Sequence, residues 1–198
     1  FQIEEKQEDA KGYIYDPKPW TLTVVVKDEN SQLVIKSHTY SRTGDTNSQD
    51  HAIFTNTYEV EPTRFTPEVV KNISADSDAR PEDASFTFEL SAKKDGWKPA
   101  DGAELGTDTE ASVTLKPEDS SGSSADQGQD EFGEIRFIHA GTYEFQIKER
   151  KDGQQGYGYD ESAWILKVTV EDVGGKLQIA KDGVQYVKTD NTGANPDS

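Results

Sequence analysis

Cysteine and methionine are both absent from the 198 residues. Without cysteine there is no disulfide framework and no thiolate metal site. A small extracellular fold without disulfides needs another covalent device, or a sufficient core. Apolar residues are few, at 32%, and no run of 18 of them occurs, which excludes a membrane-spanning helix. Basic residues are outnumbered, 21 against 38, for a net charge of −17. That balance argues against nucleic acid and anionic membrane surfaces as partners. His38, His51 and His139 are scattered and form no metal pattern. Phosphate-loop, dinucleotide and nucleophile-elbow motifs are missing. Asp76-Ser77-Asp78 with Glu82 and Asp83 lacks the spacing and glycine of a calcium loop, and reads as a solvated acidic loop. No metal, nucleotide or organic cofactor is expected. The chain opens on Phe1 with no signal peptide, so it is expected to be a fragment or a processed product.

What is present is alternation. Gly141–Glu149 reads G-T-Y-E-F-Q-I-K-E, the period of a half-buried strand. Tyr143, Phe145, Ile147 and Glu149 share one face. Trp20, Leu22, Val24 and Val26 share another, as do Trp164, Leu166, Val168 and Val170. Phe86, Phe88 and Leu90 mark a short strand, and Ser112–Leu115 and Glu134–Ile138 weaker ones. Turn signals stand at Lys94-Asp95-Gly96, Lys151-Asp152-Gly153 and Val173-Gly174-Gly175. Residues 118–130 are rich in Ser, Gly, Asp and Gln and read as a mobile loop. Residues 189–198 also read as loop. The aromatic content and the alternation argue against disorder, and the many short strands point to all-β, immunoglobulin-like β-sandwich modules.

The modules are in tandem. With Phe1 set on Phe145, twelve of the first 27 residues recur without a gap, among them Glu5, Tyr15, Asp16, Trp20 and Leu22. Leu33 and Ile35 extend the match to Leu177 and Ile179. An offset of 144 is domain-sized rather than solenoid-sized. Residues 1–61 therefore read as the C-terminal part of a first repeat. Residues 62–198 read as most of a second, joined stiffly at Glu61-Pro62-Thr63. Trp20 and Trp164 are expected at equivalent buried positions.

Three kinds of polar residue lie on apolar faces. Glu149 and Glu5 end such faces. Lys71 lies between Val69 and Ile73. Asn56 lies between Phe54 and Tyr58 on a strand drawn over residues 53–58. Each alone has an ordinary reading: a strand-end carboxylate reaching water, a snorkelling lysine, a self-satisfied asparagine. Together they supply an acid, an amine and a carboxamide facing a core. Burial favours the uncharged forms of amines and acids, so a neutral lysine could attack an asparagine carbonyl while a protonated glutamate shuttles protons and ammonia leaves. The product is a Lys–Asn isopeptide bond, a staple that needs no cysteine.

At these residues the chain resembles the streptococcal pilin isopeptide-linkage domain, found in backbone pilins and stalks of Gram-positive surface proteins. The marks are Val70-Lys71 before Phe86-Thr87-Phe88-Glu89-Leu90, then Ala140-Gly141-Thr142-Tyr143 leading to Glu149. Next come Tyr159-Asp160, Val168-Thr169-Val170, Gly174-Gly175-Lys176-Leu177 and the closing motif Phe54-Thr55-Asn56-Thr57-Tyr58. The resemblance implies Lys71 as the amine, Glu149 and Glu5 as catalytic acids, and Asn56 as the carboxamide. The first repeat shows no lysine strand, and the second no repeat of F-T-N-T-Y. The second asparagine strand is expected beyond Ser198, with Asn191 as an alternative partner of Lys71 within the chain.

The reading is a structural module of a pilus shaft or adhesin stalk, on the cell wall of a Gram-positive bacterium. Its cross-link forms once and is not enzymatic turnover. Its partners are other copies or adjacent repeats: in the uncut protein Lys71 is expected to bond the asparagine strand after Ser198 and Asn56 a lysine before Phe1, while a bond formed in the fragment alone is expected to join Asn56 of one copy to Lys71 of the next. The rival reading is an adhesin head that binds a host surface ligand through loops such as residues 118–130.

Overall fold

A computed structural model describes residues 1–45, 47–74, 83–92, 102–115, 125–153 and 155–189. Asn191 and the turn drawn at residues 94–96 lie outside them. The chain forms two units, Phe1–Glu59 and Val60–Ser198. Every paired strand among the described residues is antiparallel, apart from a single parallel bridge between Glu61 and Lys176. No helix there is long and apolar enough to cross a membrane.

The first unit holds β1 (Gln2–Ile3), β2 (Tyr13–Ile14), β3 (Trp20–Glu29), β4 (Gln32–Arg42) and β5 (Thr57–Tyr58). Strand β3 pairs with both β1 and β4, and β2 pairs with β5. The β3–β4 turn closes through Asn30 and Ser31, both at positive φ (56° and 63°). This is the two-residue turn whose twist suits a hairpin. The Asp28 carboxylate accepts the Ser31 N–H at 2.9 Å, which steadies it.

The second unit holds β6 (Thr63–Phe65), β7 (Glu68–Ser74), β8 (Ala84–Ala92), β9 (Ala103–Leu105), β10 (Glu110–Leu115), β11 (Ala125–Glu131), β12 (Ile135–Phe137), β13 (Gly141–Glu149), β14 (Ala163–Asp172) and β15 (Leu177–Thr189). Five strands make one sheet in the order β10-β8-β13-β14-β15. Opposite it stand β6-β12-β9 and the pair β11-β7. The alternation on β8, β10, β13 and β14 points Phe86, Val113, Phe145 and Leu166 into one core. Phe65, Val69, Ile135 and Phe137 enter the same core from the other strands. The Phe137 ring meets Phe145 at 6.5 Å between centroids, nearly edge-on. The result is a two-layer β-sandwich.

Two sequence expectations change here. Residues 125–130 are not loop: they form most of β11, paired along its length with β7. The strand passes close to its neighbour at one position. A Cβ on Gly128 would stand 2.6 Å from Val113 and 2.7 Å from Leu115, so glycine is the residue that fits. Gly128 is also the cross-strand partner of Lys71. In the first unit, the strand drawn over residues 53–58 shrinks to Thr57–Tyr58. Residues 53–56 are held by side chains instead of a backbone ladder.

The repeat is visible in three dimensions, but its burial is not repeated. Phe145, Leu166, Val168 and Leu177 are buried, whereas their counterparts Phe1 and Leu33 are exposed and Leu22 and Val24 half-buried. On the apolar face of the first unit's main sheet, Trp20 is the one buried residue among those described.

Candidate functional site

Strand β7 puts Val69, Lys71 and Ile73 on its inner face and Val70 and Asn72 outside. Lys71 therefore enters the sandwich, with its ammonium 4.5 Å from the Phe86 ring centroid. Strand β13 ends its inner face on Glu149. Lys71 Nζ donates to Glu149 Oε1 at 2.5 Å, with side chains only 11% and 3% exposed. The other oxygen, Oε2, accepts the backbone N–H of Asp160 at 2.9 Å. This pair stands in a groove of about 520 Å³ whose lining includes Val69, Phe88, Ile147, Trp164 and Tyr186.

The first unit builds the complementary arrangement. Glu5 Oε1 accepts the Asn56 Nδ2–H at 2.6 Å, and the Asn56 carbonyl oxygen accepts the Asp16 N–H at 3.0 Å. Glu5 Oε2 is buried without a hydrogen-bond partner. In the second unit the same carboxylate faces an amine. The structure thus brings Lys71 to Glu149 and Asn56 to Glu5. One unit holds acid and amine, the other acid and carboxamide.

The segment carrying Asn56 is held by groups that the sequence reading did not assign. Trp20 Nε1 donates to the Ile53 carbonyl at 3.0 Å. The Asp16 carboxylate accepts the Thr55 N–H at 3.3 Å and is clamped by Arg42. The Arg42 guanidinium lies 5.3 Å from the Trp20 ring centroid and 5.9 Å from that of Phe54, so it is a cation between two rings. The second unit repeats the frame. Lys188 pairs with Asp160 at 2.8 Å and lies 6.0 Å from the Trp164 ring. The register explains this: Trp20 pairs with Arg42 and Trp164 with Lys188. Counting by the sequence offset would have matched Arg42 with Tyr186. The recurrence of Asp16 at Asp160 and of Trp20 at Trp164 was the visible signal.

Trp20 is 3% exposed but Trp164 is 40% exposed, which corrects the expectation of equivalent burial. Residues 53–56 cover Trp20, and no described segment takes that place over Trp164.

Hydrogen bonding from Arg42, then from the Lys18 and Thr55 N–H groups, outweighs desolvation and holds the Asp16 carboxyl down to about 2. A carboxyl depressed in the folded state stabilises it above its ordinary value near 4, and that stability is lost as pH falls toward 2. Residues 53–56 are expected to come off Trp20 over that interval, seen as a change in Trp20 fluorescence. In Asp16→Asn this component of the acid transition should be gone. A transition unaltered in Asp16→Asn would assign the attachment elsewhere.

Among the described residues, no group of three His, Asp or Glu is placed to hold a metal ion. A search of curated proteins gave no match. The sequence does match the family described as FctA, Spy0128-like isopeptide containing domain, over residues 1–59 and 67–193. Those two stretches take in both half-sites and almost the whole of each unit, and the chain belongs to this family of pilin-type, isopeptide-containing structural domains.

Proposed function

We propose that this protein is a structural module of a pilus shaft or adhesin stalk on a Gram-positive cell surface, stapled by Lys–Asn isopeptide bonds. Lys71 is the amine and Glu149 its acid; Asn56 is the carboxamide and Glu5 its acid. The observation that carries the reading is the buried 2.5 Å contact between Lys71 Nζ and Glu149 Oε1 at the wall of an open groove.

The chemistry needs nothing beyond these groups and an arriving carboxamide. A proton passes from Nζ to Glu149 Oε1, giving an amine and a carboxylic acid. The amine nitrogen attacks the amide carbon of the asparagine, and the Nζ–C bond forms. Glu149 gives its proton to the departing nitrogen and takes one from the attacking nitrogen. The C–Nδ2 bond breaks, ammonia leaves, and the acid is regenerated. The event happens once per site, so the protein is substrate and product rather than a turnover enzyme.

Trypsin digestion followed by mass spectrometry tests this on protein taken from its native surface. Lys71 is expected in a branched peptide joined to an asparagine peptide, lighter than the sum by one ammonia, with no cleavage after Lys71. Recovery of Lys71 unmodified in all peptides overturns the reading. Denaturing gels assign the partner. A boiling-resistant ladder corresponds to Asn56 donated between copies, which first gives up the bonds of Asn56 to Glu5 and Asp16. A monomer band lighter by one ammonia corresponds to a bond within the chain, with Asn191 as the alternative.

A further inference from the structure

The two half-sites share one frame, which residues 53–56 cross in the first unit and no described segment crosses in the second. In the first unit, Asp16 holds two consecutive residues at once. Its carboxylate takes the Thr55 N–H, and its own N–H reaches the Asn56 carbonyl oxygen. Trp20 fixes the strand three residues before the asparagine through the Ile53 carbonyl, and Phe54 between them packs on Arg42. Register is thereby set by three residues at four consecutive positions. In the second unit, the Asp160 N–H is on Glu149 Oε2 instead, and the Asp160 carboxylate is held by Lys188 and by the Ser162 N–H at 2.9 Å. Trp164 faces the groove beside Lys71 and Glu149.

We infer that Asp160, Trp164 and Lys188 are positioning residues, a clamp that sets the register of an extended, asparagine-bearing strand so that its carboxamide lands on Lys71. This rests on the cross-linking reading of that groove. The occupant is a strand with the pattern of Ile53–Tyr58. Trp164 Nε1 donates to the carbonyl three residues before the asparagine. An aromatic side chain two residues before it covers Lys188. The Asp160 carboxylate accepts the N–H of the residue immediately before it. The Asp160 N–H then moves from Glu149 Oε2 to the asparagine carbonyl oxygen, as Asp16 already shows. That handover places a donor where negative charge develops during attack and releases Glu149 for proton transfer. A strand shifted by one residue turns its side chains to the other face and meets none of these groups correctly.

The test uses the full chain and a synthetic peptide with the sequence of residues 52–59. Calorimetry reads docking, and intact mass reads the covalent adduct, lighter than protein plus peptide by one ammonia. A second peptide is N-methylated at the residue before the asparagine, which deletes only the N–H meant for Asp160. Against the wild-type chain it is expected to need about tenfold more peptide for half-maximal adduct formation, the size of a hydrogen bond to a charged group. Against Asp160→Ala the two peptides should behave alike. Trp164→Phe should raise the half-saturating concentration with a smaller change in the rate at saturation. Equal behaviour of the two peptides on the wild-type chain, no docking at all, or wild-type half-saturation in both variants overturns the clamp. Docking with the expected peptide preference but without any covalent adduct upholds the clamp and overturns the cross-linking reading instead.

Discussion

Lys71→Ala is expected to abolish the cross-link and, separately, to destabilise the second unit by about 3–5 kcal/mol wherever the bond has not formed. The two effects have different causes. The first is loss of the amine that stands against Glu149. The second follows from Glu149, which is 3% exposed and loses the amine on its Oε1. A carboxylate taken from water and left without its counter-charge retains the whole desolvation cost. Lys71→Arg separates the two, since a guanidinium keeps the charge but does not act as the amine. It should recover part of the stability and none of the bond. Replacing both partners, as in Lys71→Met with Glu149→Leu, should also recover stability, because no buried charge remains. Denaturant unfolding of uncross-linked material measures each step. If Lys71→Ala unfolds at the wild-type midpoint, Glu149 is not in the buried environment described above.

The second large effect is a contrast between two copies of one residue. Phe145→Ala should cost about 3–5 kcal/mol, while Phe1→Ala, at the equivalent repeat position, should change stability by about 0.5 kcal/mol or less. Phe145 is fully buried beside Phe137; Phe1 is 84% exposed. The same logic extends to Leu33, exposed, against Leu177, buried. Apolar area left in water contributes nothing to folding, whereas burying a side chain of this size contributes about 1.5–3 kcal/mol. The first unit should therefore show the weaker amide protection, and hydrogen exchange resolved by segment reads that directly. Equal losses from Phe145→Ala and Phe1→Ala would mean that the first sheet face is covered as fully as the second.

Alternation and repetition in the sequence were enough to establish β3, β7, β8, β13 and β14, their inward faces and the duplication, because side-chain direction in a strand depends only on position along it. Lys71 on the inner face of its strand, Glu149 at the end of another and the kinship of Glu5 to Glu149 were legible for that reason. Three things were not. Strand β11 carries almost no apolar pattern, and its Gly128 is required by side chains from another strand, a constraint that arises only on packing. Lys188 took the place of Arg42 through register: each hairpin shifts its pairing by a bulge, which a constant offset cannot follow. The unequal burial of Trp20 and Trp164 depends on whether a segment lies across them, and a strand does not encode its own cover. Local periodicity determined which residues face inward. Only the tertiary structure decided what each of them meets there, because burial, ion pairing and register belong to the contact between elements and not to either element alone.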